Sequence, residues 1–409
     1  MLQRLVTSDD IGLVKDVDFA IKSVSMIQGQ SGADKSVALM AWLNDAETLL
    51  AVATTAAVVE VLNFDSENLK WSLVQEIEVA DSVLAFFTTL EELFILSESE
   101  IIIVGLADMK FSISKVSLES GPYHVGNFMK SETLQDGCSH PNRPSYIVAA
   151  FESRPPVIIS LENGKIEWSG KNANDTPLGL NSKFHTTALV SISDKIFAAG
   201  DQLGKLRLYD IKTQRKPVLE MPIYETFQLT NNYTGTSGMG ITRPITTLSL
   251  SRDSSFLFIG DTFGTLISVD IRKAVGSKSL VVPSAKIGFK AHTDYCRKLL
   301  VLSRNFKGMM GSVRSVAVTD SILYAVTAGR YAYAYDLKNP KKMEKIFLSQ
   351  KLTACLAHEK AESMASLPPG NDEREDDSSS IDDDATNDLL NHIEKDDDDH
   401  HYVSKKFRR

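Results

Sequence analysis

The segment Gly200-Asp201-Gln202-Leu203-Gly204-Lys205-Leu206-Arg207-Leu208-Tyr209-Asp210-Ile211-Lys212 returns as Gly260-Asp261-Thr262-Phe263-Gly264-Thr265-Leu266-Ile267-Ser268-Val269-Asp270-Ile271-Arg272. A chain that repeats itself at a fixed period builds its core from stacked copies of one unit. Here the shared frame is Gly-Asp, a tight turn through Gly, an alternating run, then Asp-Ile and a base. That frame predicts a β-hairpin with one face in the core, the glycine supplying the turn dihedrals.

Reading outward recovers a four-stranded unit: residues 185–192, 196–201, 204–211 and 217–221 are short apolar runs between polar turns. The second copy starts at Arg243 and runs through Phe256–Asp261 to Val269-Asp270-Ile271. A third runs from Gly311 to Val318, from Ile322 to Ala328 and from Tyr331 to Lys338. Its central turn reads as three residues shorter, because Gly329 lies seven before Asp336 whereas Gly200 lies ten before Asp210. Earlier units are fainter: Val37 to Leu43, Leu49 to Thr54 and Ala57 to Phe64; then Val83 to Thr89, Leu93 to Ser97 and Ile101 to Leu106; then Tyr146 to Phe151, Pro156 to Leu161 and Lys165 to Gly170, with a first strand sought around His124 to Lys130. Six units fill residues 36–350. A seventh is expected from both ends, Lys351–Ala357 pairing with strands from Arg4 to Ser8 and Gly12 to Phe19, which removes the free sheet edge. The expectation is an all-β, seven-bladed β-propeller over residues 1–358.

Charge divides the chain. Residues 371–400 hold 14 Asp and Glu against Arg374 and Lys395, a net minus 12; residues 401–409 carry plus 4, so residues 1–370 are left at minus 1 of the total minus 9. Residues 359–409 are expected to be a disordered acidic tail, since they are too poor in apolar groups to bury a core. Ser379 and Ser380 each have Asp three residues on, a setting for acid-directed phosphorylation or for a merely solvated linker. The end of the tail, Lys405, Lys406, Arg408 and Arg409, forms a basic cluster suited to nuclear import or to phosphate contact.

Other classes are disfavoured. No window approaches about 18 consecutive apolar residues, and the first twenty residues lack a signal-peptide pattern, so no membrane partner is expected. Cys138, Cys296 and Cys355 are too dispersed for a zinc knuckle or a disulfide framework. Neither Gly-x-Ser-x-Gly nor a phosphate-binding loop occurs, and His185, at the start of an expected inner strand, reads as structural. The expectation is therefore a binding protein with no catalytic residue, metal, cofactor or small-molecule substrate. Candidate contact residues are Lys171, Asn172, Asn174 and Asp175, clustered after a strand, with Arg243, Arg314 and Arg330 near strand ends that would share a rim; the polar cluster equally suits turn capping.

Gly170-Lys171-Asn172 with Asn174-Asp175, Gln214-Arg215-Lys216-Pro217-Val218-Leu219-Glu220, Pro244-Ile245-Thr246, Gly264-Thr265-Leu266 with Asp270-Ile271-Arg272, and Gly311-Ser312-Val313-Arg314 follow one another in this order. So arranged, with Asp10–Lys15 before them and Leu348–Thr353 after, they resemble the eukaryotic nucleolar WD-repeat family of large-ribosomal-subunit assembly factors, over residues 5 to about 357. The resemblance implies a WD40-type propeller in the nucleus and nucleolus that joins pre-ribosomal large-subunit particles, contacts assembly proteins and ribosomal RNA, supports rRNA processing, and is released by an AAA-type ATPase acting on a C-terminal tail. The turn near Gly329, an insertion from Val275 to Arg297 and the Asp-rich tail depart from it. The alternative is a cytoplasmic WD-repeat adaptor for a ubiquitin ligase or a trafficking complex, because the fold does not determine the partner.

Overall fold

A computed structural model describes residues 4–358, apart from 30–31, 33–34, 66–69, 90, 107–110, 118–122, 126–127, 131–133, 141–142, 144, 152–154, 172–185, 194, 228, 230–242 and 276–297. The chain forms a seven-bladed β-propeller. Each blade is a four-stranded antiparallel sheet. From the inner strand outward, blade 1 is Val37–Trp42, Leu49–Thr54, Val58–Asp65 and Lys70–Glu78. Blade 2 is Val83–Thr88, Glu92–Ser97, Glu100–Gly105 and Ser112–Ser117. Blade 3 is Leu134–Ser139, Tyr146–Phe151, Val157–Ser160 and Ile166–Ser169. Blade 4 is Thr186–Ser191, Ile196–Asp201, Lys205–Asp210 and Leu219–Pro222. Blade 5 is Ile245–Leu250, Phe256–Asp261, Leu266–Asp270 and Val301–Phe306, and blade 6 is Val313–Val318, Ile322–Thr327, Tyr331–Asp336 and Met343–Phe347.

Blade 7 joins the two ends of this ring. Leu352–Ala357 is its inner strand and pairs antiparallel with Arg4–Asp9, in the register Leu5 to Ala357, Val6 to Leu356 and Thr7 to Cys355; Val14–Asp18 and Ser23–Gln28 complete it. The expected closure is therefore present. Around the ring, each inner strand lies against the next, from Val37–Trp42 through Leu352–Ala357 and back again. The closing seam is reinforced where the Trp42 indole donates to the Ala357 carbonyl at 3.1 Å and His358 Nδ1 lies 3.0 Å from Glu47 Oε2.

Apolar side chains collect into seven clusters, one at each seam between neighbouring blades. The hairpin, expected from the sequence to put one face in the core, therefore buries both faces in its second strand. Leu49–Thr54, Ile196–Asp201 and Ile322–Thr327 are buried at every position, because a blade packs on both faces. The outer strands, such as Lys70–Glu78 and Met343–Phe347, are largely open to solvent.

The sequence reading misplaces one inner strand. In blade 3 it is Leu134–Ser139; Tyr123–Val125 and Phe128–Lys130 form a separate two-stranded hairpin. Gln135-Asp136-Gly137 has poor strand propensity, which hid it. The close approach of blade 2 accounts for the glycine: a Cβ on Gly137 would stand 2.6 Å from the Leu96 side chain and 3.2 Å from Phe87. Asp136 accepts from the Leu189 N–H of blade 4 at 2.7 Å and so links two inner strands. Burial pushes its carboxyl up to about 7, against the lowering effect of the Gly137 and Leu189 N–H groups.

Candidate protein-binding face

In five blades the turn between second and third strands repeats one geometry. The residue ending the second strand is Asp9, Thr54, Asp201, Asp261 or Thr327, and its carbonyl accepts from the N–H three residues on, at Gly12, Ala57, Gly204, Gly264 or Arg330. Each of those five residues is left-handed, with φ of 94°, 58°, 75°, 79° and 69° respectively. Glycine adopts such a φ freely, whereas Ala57 and Arg330 adopt it at a steric cost. This alignment corrects the reading of blade 6. Its turn is full length, with Thr327 in the place of Asp201 and Arg330 in the place of Gly204. The structural counterpart of Gly200 is Val326, not Gly329.

In three of these five turns the capping residue is an aspartate, and it does two jobs. One carboxylate oxygen accepts from the backbone of the turn: Ile11 and Leu13 for Asp9, Leu203 and Lys205 for Asp201, Phe263 and Thr265 for Asp261. The other takes a cation: Lys15 Nζ at 3.0 Å, Arg207 Nη1 at 2.7 Å and Arg243 Nη2 at 2.6 Å. The turn thus reads Asp-x-apolar-Gly, with Ile11, Leu203 and Phe263 at its tip. Asp9 was missed in the sequence because Ser8 replaces the preceding glycine of the other two copies.

Arg243, Arg314 and Arg330 all belong to this end of the blades. The segment entering each inner strand is bonded to the neighbouring turn, as Thr262 N–H to Pro244 O and Ala328 N–H to Ser312 O show. Arg243 is nevertheless occupied within the fold. Besides Asp261 it reaches the Leu229 carbonyl and the Thr265 hydroxyl, and its guanidinium lies 4.1 Å from the Tyr224 ring centroid and 5.2 Å from that of Phe263. Arg314 is exposed and sits at a β-bulge one residue into its inner strand. The bulges at the same point in blades 4 and 5 hold Thr187 and Thr246, whose hydroxyls donate to Ile245 O at 2.5 Å and Val313 O at 2.6 Å and stitch successive blades. Arg330 is exposed on its turn.

Exposed apolar side chains share this end of the blades. Leu203 is 49% exposed, Phe263 46% and Met310 58%. Large exposed apolar side chains beside arginine are the composition of a protein contact, where Met, aromatic residues and Arg are enriched. Lys171 belongs to blade 3. It follows the outer strand of blade 3 and donates its N–H to the Arg215 carbonyl at 2.7 Å, in the loop that leads to the outer strand of blade 4. Asn172, Asn174, Asp175 and His185 lie outside the described residues, as do Ser379, Ser380, Lys405, Lys406, Arg408 and Arg409. Among the described residues, no group of three or more His, Cys, Asp or Glu side chains is placed to hold a metal, and no helix is long and apolar enough to cross a membrane.

The blades, their closure and their turns define a WD-repeat-like β-propeller. Among solved structures, the chain is similar to the β-propeller domain of Cps50 (Swd1) from Myceliophteria thermophila, with a TM-score of 0.52 and 16% identity over 79% of this chain and 87% of that one. It is also similar to the computationally designed Ika8 protein, with a TM-score of 0.49 and 12% identity over 86% of each chain. At 16% identity the likeness to the Cps50 domain shows the fold alone. No family model and no curated protein matches the sequence.

Proposed function

We infer that this chain is a non-catalytic assembly factor of the large ribosomal subunit, a propeller that binds nucleolar precursor particles through the face carrying Leu203, Phe263, Met310, Arg314 and Arg330. Residues 359–409 act as its import signal and as the handle by which an AAA-type ATPase releases it. The observation that carries the ribosomal assignment is the ordered run of motifs from Asp10 to Thr353 that resembles that family. Support for a binding role comes from the exposed Leu203, Phe263 and Arg330 side chains on stiff turns, since a pre-ordered surface loses little entropy on docking.

The test is purification of the tagged full chain with whatever accompanies it. Large-subunit precursor RNA and assembly proteins are expected, together with nucleolar localisation. A diffuse cytoplasmic signal with ubiquitin-ligase or vesicle proteins would overturn the reading. A variant combining Leu203→Ser, Phe263→Ser and Arg314→Glu is expected to stay folded and lose co-sedimentation, while deletion of residues 359–409 keeps particle binding and blocks import or release. Unchanged co-sedimentation of the triple variant would move the contact elsewhere, with Lys171→Glu testing the blade 3 rim.

A further inference from the structure

Blade 5 breaks the repeat at one row of side chains. In blade 4, Ala198, Leu208 and Leu219 are register partners across the second, third and outer strands and fill the seam toward blade 5. The equivalent row of blade 5 is Phe258, Ser268 and Arg304. A hydroxyl and a guanidinium thus stand where two leucines close the preceding seam. Between blades 5 and 6 the packing stops short, leaving a cavity of about 350 Å³. That volume lies at the lower end of the range, about 300–1,000 Å³, in which small-molecule sites fall.

The lining is divided by chemistry. Phe256, Phe258 and Leu337 offer an apolar wall, and the cations Arg252, Arg304 and Lys338 meet the acids Asp253 and Asp320. The acids are engaged locally: Asp320 lies 3.6 Å from Arg252, and Asp253 accepts from the Ser251 hydroxyl and the Ser255 N–H. Arg304 is half-buried, and its guanidinium has no side-chain partner among the described residues. A sheltered guanidinium favours a carboxylate or phosphate, which it can grip with two parallel bonds. The mouth of the cavity is formed by the turns at Ser251–Asp253 and Thr319–Asp320, which join inner to second strands, at the end of the blades opposite Asp261.

The geometry points to a binding site between blades 5 and 6 for a small aromatic anion, its ring against Phe256, Phe258 and Leu337 and its single carboxylate or phosphate on Arg304. The site is separate from the face assigned above and does not depend on the ribosomal reading. A free compound and an aryl-anion side chain of a bound protein share this chemistry.

Ligand-observed NMR on the full chain tests it, with phenyl phosphate and 3-phenylpropionate as probes and inorganic phosphate and benzyl alcohol as controls. At least one aryl anion is expected to bind more tightly than either control. Ser268→Leu restores the side chain found at Leu208, so it is expected to fold and to abolish binding by filling the cavity. Arg304→Met is expected to weaken binding about tenfold or more, the loss of one charge-assisted contact. Arg314→Glu, on the other face, is expected to leave it unchanged. Binding of a blocked phosphotyrosine tripeptide at least as tight as phenyl phosphate assigns the site to a protein side chain; binding tenfold weaker assigns it to a free compound. The proposal is overturned if neither aryl anion binds, if inorganic phosphate binds equally well, or if folded Ser268→Leu binds like the parent. Should Arg304→Met fail to fold, Lys338→Ala, an exposed change, and Ser268→Leu decide the matter.

Discussion

Removing the Asp261 carboxylate measures what the repeated acidic turn contributes. The side chain is fully buried and accepts from Phe263 N–H at 2.9 Å, Thr265 N–H at 2.7 Å and Arg243 Nη2 at 2.6 Å. In Asp261→Ala the two turn N–H groups lie near solvent, at the level of half-exposed Phe263, and each costs about 0.5–1.5 kcal/mol. Stranding Arg243 beside an empty carboxylate site would cost about 3–5 kcal/mol if it were fully buried and alone. The Leu229 carbonyl, the Thr265 hydroxyl and the Tyr224 and Phe263 rings still shelter its charge, which brings that figure toward about 2 kcal/mol. The total is about 3–5 kcal/mol. With an unfolding entropy of about 2.1 cal/mol/K per residue, a ring of this length should melt about 4–7 °C lower. Urea unfolding and calorimetry of Asp261→Ala, Arg243→Ala and the double variant give the cycle, and the double variant should lose about 1–3 kcal/mol less than the sum of the singles. Asp253→Ala, in an exposed turn on the opposite end, is the control and should cost under about 1 kcal/mol. If Asp261→Ala matches that control, or if the two losses simply add, Arg243 is not held by Asp261 and the account of this turn is wrong.

Ending the chain at residue 351 removes Leu352–Ala357 and should abolish cooperative unfolding, whereas ending it at residue 358 should leave stability within about 0.5 kcal/mol of the parent; a ring that melts normally without Leu352–Ala357 would refute the closure. Asp136 has its folded-state carboxyl raised from 3.8 to about 7, so the native state keeps a proton that the unfolded chain releases, and the stability this lends is full below about pH 4 and lost as pH rises through 7. Urea titrations at pH 5 and pH 8 should show a larger loss toward high pH in the parent than in Asp136→Asn, and equal losses would sink the assignment. Gly204→Ala should destabilise by about 2–4 kcal/mol, since φ is 75° and a Cβ would meet the Arg243 carbonyl at 2.7 Å, while Arg330→Gly, relieving a φ of 69°, should be neutral or stabilising by up to about 1 kcal/mol; chemical denaturation of both checks the order.

The ring and its closure were legible because Gly200-Asp201 and Gly260-Asp261 sit at turns that need particular residues, and because second strands are apolar at nearly every position. Outer strands were harder to see. Ser112–Ser117 and Met343–Phe347 face solvent on one side and carry little apolar signal, and Val301–Phe306 lies beyond the long insertion. Leu134–Ser139 was hidden for a different reason: Asp136 and Gly137 oppose strand formation locally and are retained for contacts with neighbouring blades. At the candidate face, the positions of Arg314 and Arg330 near strand ends were readable. The occupation of Arg243 by Asp261 was not, because Arg243 lies in the segment entering the inner strand and meets Asp261 only through the pairing of Ile245 with Asp261 in blade 5.

The acidic turn links stability to recognition through single atoms. The carboxylate oxygen of Asp201 that accepts from Leu203 N–H, and that of Asp261 that accepts from Phe263 N–H, fix the backbone of the residues whose side chains stand about half exposed. An apolar tip held on a turn with few accessible conformations is a contact whose ordering cost has been met in folding, so little entropy is lost when a partner covers it. The cation on the other oxygen differs in its consequence. Lys15, Arg207 and Arg243 are drawn inward by their aspartates, whereas Arg330 stands in the one turn of blade 6 where Thr327 replaces the acid, and it is exposed. Where the repeat keeps its aspartate, the turn offers an apolar side chain and hides the charge. In blade 6 Arg330, at the position of Gly204, puts an exposed charge at the level of those apolar tips, so one repeated geometry generates a surface with both kinds of contact.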